Sequence, residues 1–326
     1  MDISVIIPVF NGGDTIERCI NALKRQRTER AFEIIMVDDG STDGSLQKIT
    51  GRNIRVFKQA NQGPAAARNL GVEKSRGQIV LFTDADCEPL NNWIEEMVRP
   101  LEDSPVAGVK GCYLTRQKKI VPRFVQLEYE AKFERMKRDR YIDFIDTYSA
   151  GFVKEDFLAV GRFDTQFPSP SVEDQEFSFR MWERGYRMIF NPNARVYHTH
   201  PDSILRYMKK KFWIGFWKAL VLKKHPRKIL RDSHTPQVLK LEMGFSTLFL
   251  IFVLLSLFAD GCLYYSFLPL MGFFATITPF FVTALRRDPL VAVFSPILLF
   301  SRALSLSSGL IAGSFKVLLS GARIDR

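Results

Sequence analysis

Two short apolar runs in this chain stop abruptly at carboxylates. Phe32 to Val37 runs into Asp38-Asp39-Gly40-Ser41-Thr42-Asp43, and Ile79-Val80-Leu81-Phe82-Thr83 runs into Asp84-Ala85-Asp86. Continuous apolar runs of this length, rich in β-branched residues, read as strands buried on both faces of a parallel sheet. In open sheets of that kind, ligands bind beyond the carboxyl ends of the strands. Two acids spaced Asp-x-Asp at such a place are costly unless something positive compensates them. A hard divalent cation with oxygen ligands does so.

The rest of the first 200 residues follows the same rhythm. Ile3 to Val9 reads as a first strand, and Asn11-Gly12-Gly13-Asp14 as a turn, with Asp14 capping a helix that carries Ile16, Cys19, Ile20 and Leu23 at helical spacing. Ile54 to Phe57 is a third strand, and a helix opens at Gly63-Pro64. A helix over 91–102, a strand from Val106 to Leu114 and a core-facing amphipathic helix over 122–138 come next. Glu173-Asp174 opens a helix that ends near Gly185, and Tyr186 to Phe190 and Ala194 to His198 read as two closing strands. Strand–helix alternation predicts an α/β fold with a doubly wound, mostly parallel sheet over residues 1–204.

Charge is unevenly spread. From Arg206 to Lys240 there are eleven Lys and Arg against one acid, Asp232, a net +10 of the formal +11 of the whole chain. A uniformly basic chain would suggest nucleic acid. One basic, aromatic-rich block (205–240) beside apolar segments instead predicts anionic lipid as the partner, and no nucleic acid. Residues 243–285 carry a single charge, Asp260. A membrane-spanning helix needs about 20 apolar residues, so residues 241–326 read as a C-terminal α-helical membrane region. Spans are expected at about 241–259 and 262–285, with the turn at Asp260-Gly261. Residues 289–319 are expected to lie at the interface rather than cross as a third span, because Arg302 sits near their middle. Basic residues flank both ends of the hairpin, which predicts a multi-pass protein of the cell (inner) membrane with its first 200 residues on the cytoplasmic face. The apolar run at the N-terminus is short and broken by Pro8, unlike a signal peptide. Four scattered cysteines with no metal or disulfide spacing suit a reducing compartment.

Three acid sites, Asp38/Asp39, Asp84/Asp86 and Glu173/Asp174, fall where a parallel sheet would converge them. A diphosphate-bearing ligand accounts for all three: one acid for a base or ribose, the Asp-x-Asp pair for Mg²⁺ or Mn²⁺, the third as general base. With Val5-Ile6-Ile7-Pro8-Val9-Phe10-Asn11, Val37-Asp38-Asp39-Gly40-Ser41-Thr42-Asp43, Asn61-Gln62-Gly63-Pro64-Ala65-Ala66-Ala67-Arg68-Asn69-Leu70-Gly71, Asp84-Ala85-Asp86 and Glu173-Asp174 in this order, the chain resembles the inverting family-two glycosyltransferases of the GT-A fold over roughly its first 200 residues.

The resemblance implies a site. Pro8 and Asn11 shape the first nucleotide-side loop, Asp39 contacts the base, and Arg68 and Asn69 face the diphosphate. Asp84 and Ala85 lie against the ribose or sugar, and Asp86 ligates the metal. Asp174 is the catalytic base, assisted by Glu173. A late histidine joins the metal shell in some relatives; His200 is expected before His198. The Gln-x-x-Arg-Trp motif of processive synthases is absent, the comparable stretch reading Phe179-Arg180-Met181-Trp182-Glu183-Arg184. The expected activity is therefore one sugar transferred from a nucleotide-sugar donor, UDP- or another NDP-sugar, to a lipid-linked or membrane-proximal acceptor in glycan assembly. A polyprenyl-phosphate sugar synthase and a non-catalytic nucleotide-sugar-binding subunit are the alternatives.

Overall fold

A computed structural model describes residues 2–13, 15–46, 49, 51, 53–167, 172–229, 232, 233 and 235–319; the expected cap at Asp14 lies outside them. The described chain divides into two compact units, residues 1–116 with 133–199, and residues 117–132 with 200–325.

The first unit is built on one eight-stranded sheet. Its strands are β1 (Ile3–Val9), β2 (Phe32–Asp38), β3 (Ile54–Lys58), β4 (Ile79–Phe82), β5 (Cys87–Pro89), β6 (Gly108–Leu114), β7 (Ala150–Val153) and β8 (Met188–His198). They run in the order β3-β2-β1-β4-β7-β6-β8-β5. Pairs β1–β2, β1–β4, β2–β3 and β6–β8 are parallel, while β7 and β5 are antiparallel to their neighbours. The sheet is thus mixed and mostly parallel, a GT-A-like arrangement. Val80, Leu81 and Phe82 are fully buried, as expected of a strand covered on both faces.

Helices α1 (Thr15–Lys24), α2 (Pro64–Lys74), α3 (Trp93–Asp103), α5 (Lys154–Val160) and α6 (Glu173–Glu183) complete this unit. Pro64 stands in the first turn of α2, where its missing N–H is no loss. Pro8 is tolerated in a central strand because pairing to β4 ends at Ile6↔Phe82. The two closing strands expected at 186–190 and 194–198 are one strand, β8. The partner register jumps between Lys110↔Phe190 and Cys112↔Arg195, and this bulge absorbs Pro192, which has no N–H to give a ladder.

The second unit is helical. Residues 117–132 contribute most of α4 (Ile120–Met136), followed by α7 (Ile204–Lys224), α8 (Gln237–Leu255), α9 (Cys262–Arg287) and α10 (Pro289–Leu319). The last three are each long and apolar enough to cross a membrane. The objection to α10, its central arginine, is met inside the unit. Arg302 is buried, and its guanidinium donates to both Glu128 of α4 and Glu242 of α8. Glu128 also accepts from the Tyr207 hydroxyl at 2.8 Å and faces Lys211 Nζ at 3.4 Å. Burial alone would raise the Glu128 carboxyl; Lys211 and Arg302 outweigh it and hold the group at about 2. A paired arginine of this kind is compatible with membrane depth.

Helices α7 and α10 approach backbone to backbone. A Cβ on Gly309 would stand 2.0 Å from the Phe212 carbonyl oxygen, and one on Gly313 2.1 Å from that of Phe216. Small residues at such a crossing let two apolar helices pack at minimal separation.

Candidate active site

Parallel register carries the key residues to one edge of the sheet. Ile3 is level with both Phe32 and Ile79, so β1, β2 and β4 deliver Asn11, Asp38/Asp39 and Asp84–Asp86 together beyond their carboxyl ends. β6 and β8 run the same way as β4, because antiparallel β7 stands between β4 and β6. The end of β8 and the start of β7 therefore reach the same edge, bringing His198 and Asp146.

The first loops are tied to one another. Asn11 adopts a left-handed backbone, φ 51°, which asparagine accepts more readily than most residues. Its N–H donates to Ser41 Oγ at 3.0 Å, and its Oδ1 accepts from the Thr42 N–H at 2.9 Å. Asp39 is buried and holds the loop before α2: Oδ1 accepts from Gln59 Nε2 at 2.7 Å and the Gln62 N–H at 2.9 Å, and Oδ2 from the Gly63 N–H at 2.9 Å. Gly63, at φ 89°, supplies the backbone turn this requires. A carboxylate offers about four acceptor positions, so one on Oδ2 is left.

Arg68 is the electrostatic centre. It is 2% exposed; one terminal nitrogen donates to Asp84 Oδ1 and the other to Glu173 Oε1, each at 2.9 Å. Burial disfavours its charge, but Asp84 and Glu173 more than reverse that and push its pKa up. Asn69 is placed differently from the expectation. Its amide nitrogen donates to the Phe163 carbonyl at 2.8 Å and its Oδ1 accepts from the Phe163 N–H at 3.0 Å. Both ends of the amide clamp the chain after α5.

Asp174 opens α6 beside Glu173. Burial, then the charges of Glu173 and Asp146, raise its carboxyl well above the usual range, against Arg68 and Lys110. A carboxyl shifted in this direction holds a proton more tightly, the direction in which a general base is tuned. Ser178 Oγ, fully buried, donates to the Asp174 carbonyl at 2.7 Å and accepts from the Ile145 N–H at 3.0 Å. This stitches the first turn of α6 to the segment holding Asp146. Asp146 forms a buried ion pair with Lys110 of β6, whose ammonium lies 5.0 Å from the Phe144 ring centre. Sequence reasoning passed over this pair; its only signal was a lysine inside an otherwise buried strand.

Ala85 and Asp86 follow β4, and the Asp86 side chain is 38% exposed. Its Oδ2 lies 3.7 Å from His198 Nε2, and Cys87 completes a group of donors within 4.8 Å of one another. Of the two histidines considered, His198 is the one in this group. His200 belongs to the second unit, where its Nε2 is 3.0 Å from Gln126 Oε1 and its ring stacks on Tyr129 at 5.6 Å. Carboxylate and imidazole donors fit a divalent cation such as Mg²⁺ or Mn²⁺.

The model of Glycosyl transferase family 2 matches residues 4–163. Glycosyltransferase AglE of Haloferax volcanii is 36% identical over 116 residues, 33% of this chain and 38% of that protein. The uncharacterized glycosyltransferase YibD of Escherichia coli is 43% identical over 107 residues, 31% of each chain. The chain thus spans only about a third of the length of these relatives. In overall fold it is similar to the mannosyltransferase PcManGT from Pyrobaculum calidifontis, solved with GDP-Man and Mn²⁺, at TM-score 0.59 and 21% identity over 98% of this chain and 87% of that one.

Proposed function

Residues 4–163 place the chain in glycosyl transferase family 2, and on that premise we propose that it transfers one sugar, with inversion, from a nucleotide-sugar donor to a lipid-linked or membrane-proximal acceptor. The observation that carries this reading is the convergence of Asp39, Asp84, Asp86 and Glu173-Asp174 on one sheet edge, two of them bridged by Arg68.

The residues divide the work. The remaining acceptor position on Asp39 Oδ2 takes an N–H of the base, and the Pro8–Asn11 loop borders the nucleotide. Asp84, oriented by Arg68, meets the ribose or the sugar beside Ala85. Asp86 and His198 would hold Mg²⁺ or Mn²⁺, an ion that offsets charge growing on the departing diphosphate. The donor class is supported by the fold neighbour bound to GDP-Man and Mn²⁺. Asp174 takes the proton of the acceptor hydroxyl as that oxygen attacks the anomeric carbon. Glu173, held in place by its ion pair with Arg68, raises Asp174 through its negative charge.

Three helices apolar enough to cross a membrane and the exposed basic residues Arg206, Lys209, Lys223, Lys224 and Arg227 support attachment to a bilayer rich in anionic lipid. The positive-inside rule favours the inner membrane with the family 2 domain on the cytoplasmic side. Thermal shift against a panel of nucleotide sugars with Mn²⁺ tests the reading. A nucleotide sugar stabilises the wild type, and Asp86→Ala abolishes the Mn²⁺-dependent part. No stabilisation by any member would overturn it.

A further inference from the structure

The residue that follows the Asp-x-Asp pair is a cysteine, and its place in the sheet is specific. Cys87 opens β5 and lies directly opposite His198 in the antiparallel ladder with β8. Side chains of directly opposed residues share a face, with Cβ atoms about 4.5–5.5 Å apart. Thiol and imidazole therefore stand side by side, and Asp86 closes the triangle. Cys87 Sγ lies 3.9 Å from Asp86 Oδ1, and His198 Nε2 lies 3.7 Å from Asp86 Oδ2. Two ligands at a tetrahedral angle on an ion with bonds of about 2.0–2.3 Å are themselves ~3.3–3.8 Å apart. The two contacts fall on different Asp86 oxygens, and one ligand atom from each of the three residues lies within 4.8 Å of the others, slightly wider than a closed metal site. Cys87 and His198 are buried, while Asp86 reaches solvent and gives an ion its way in.

The donors differ in kind. Mg²⁺ and Mn²⁺ take oxygen and nitrogen and have little use for sulfur, whereas Zn²⁺ and Cd²⁺ favour thiolate. We propose that Asp86, Cys87 and His198 form a three-donor site for a thiophilic divalent ion of the Zn²⁺ or Cd²⁺ class, which displaces the working ion and stops transfer. This rests on the reading of Asp86 and His198 as metal ligands given above. On binding, the Cys87 S–H bond breaks, its proton passes to solvent and the sulfur bonds to the ion with no change of oxidation state. The fourth position stays open to water.

Cobalt(II) absorbance on the full-length protein in detergent tests this. The wild type gains a sulfur-to-cobalt charge-transfer band at one ion per chain. Cys87→Ser loses the band yet still binds Mn²⁺, which shows that it has folded. Cys19→Ser, which removes another buried thiol, keeps the band. Cadmium affinity of Cys87→Ser falls by more than the roughly 10–100-fold seen when only an outer partner of a ligand is lost. Cobalt bound without the band, or a band that survives Cys87→Ser, overturns the inference while Mn²⁺ binding sensitive to Asp86→Ala leaves the metal reading intact. Absence of any Mn²⁺ or cobalt binding overturns both.

Discussion

Arg68 joins Asp84 to Glu173, which lie 16 and 105 positions from it in sequence, with a 2.9 Å contact to each carboxylate. One guanidinium fixes an acid that follows β4 and an acid that opens α6. Removing it would leave two carboxylates together without compensation. Breaking a buried ion pair from one side costs about 3–5 kcal/mol. Arg68→Met should lose stability on that scale, read by denaturant unfolding, and a Glu173→Gln change in the same background should restore part of it.

Asn69 is expected to act on stability rather than on donor affinity. Its amide holds the Phe163 N–H and carbonyl, and stranding two such groups costs about 1–3 kcal/mol each. Asn69→Ala should lower the melting temperature while leaving nucleotide-sugar affinity near the wild-type value at a temperature where both are folded. A large loss of affinity with unchanged stability would support a diphosphate-facing role instead.

The raised carboxyl of Asp174 has a sign for stability. Folding holds this proton more tightly than the unfolded chain, whose aspartates release it near the usual carboxylate value. Between those two pKa values the native state binds more protons, so the contribution of Asp174 to stability falls as pH rises through that window. Asp174→Asn should therefore be no less stable than the wild type at neutral pH, and the difference should close as pH drops below the unfolded value. Melting temperatures of both proteins across that range check this.

Gly309 sits where α10 touches the backbone of α7. A side chain there meets a carbonyl rather than a flexible neighbour, so Gly309→Val should exceed the roughly 1–3 kcal/mol of ordinary overpacking. The loss is read as a fall in the detergent melting temperature. Gly244, which has nothing within 4 Å of a built Cβ, should accept alanine with little change.

Much of the site was legible because it depends on parallel strands, whose carboxyl ends share an edge whatever their length. Asp39, Asp84 and Asp86 could be grouped on that rule alone, whereas Glu173-Asp174, which open α6 instead of ending a strand, joined them through the family resemblance. Lys110 and Asp146 could not, since they join the edge only through the reversal of β7 between β4 and β6. The choice between His198 and His200 also escaped the sequence. Alternation puts both on one face of a continued strand, but β8 stops at His198, and only the pairing with Cys87 shows which imidazole stays beside Asp86. Composition placed a charge in α10 at Arg302. It gave no hint that Glu128 and Glu242, 174 and 60 residues away in sequence, would meet it.

The most direct measurement is release of nucleoside diphosphate from the donor that stabilises the protein, with Mn²⁺ and acceptor present, by wild type and Asp174→Asn. Loss of a positioned base lowers the rate by about 10²–10⁴-fold, and the account predicts that loss with donor affinity unchanged. Near-full release by Asp174→Asn would contradict it.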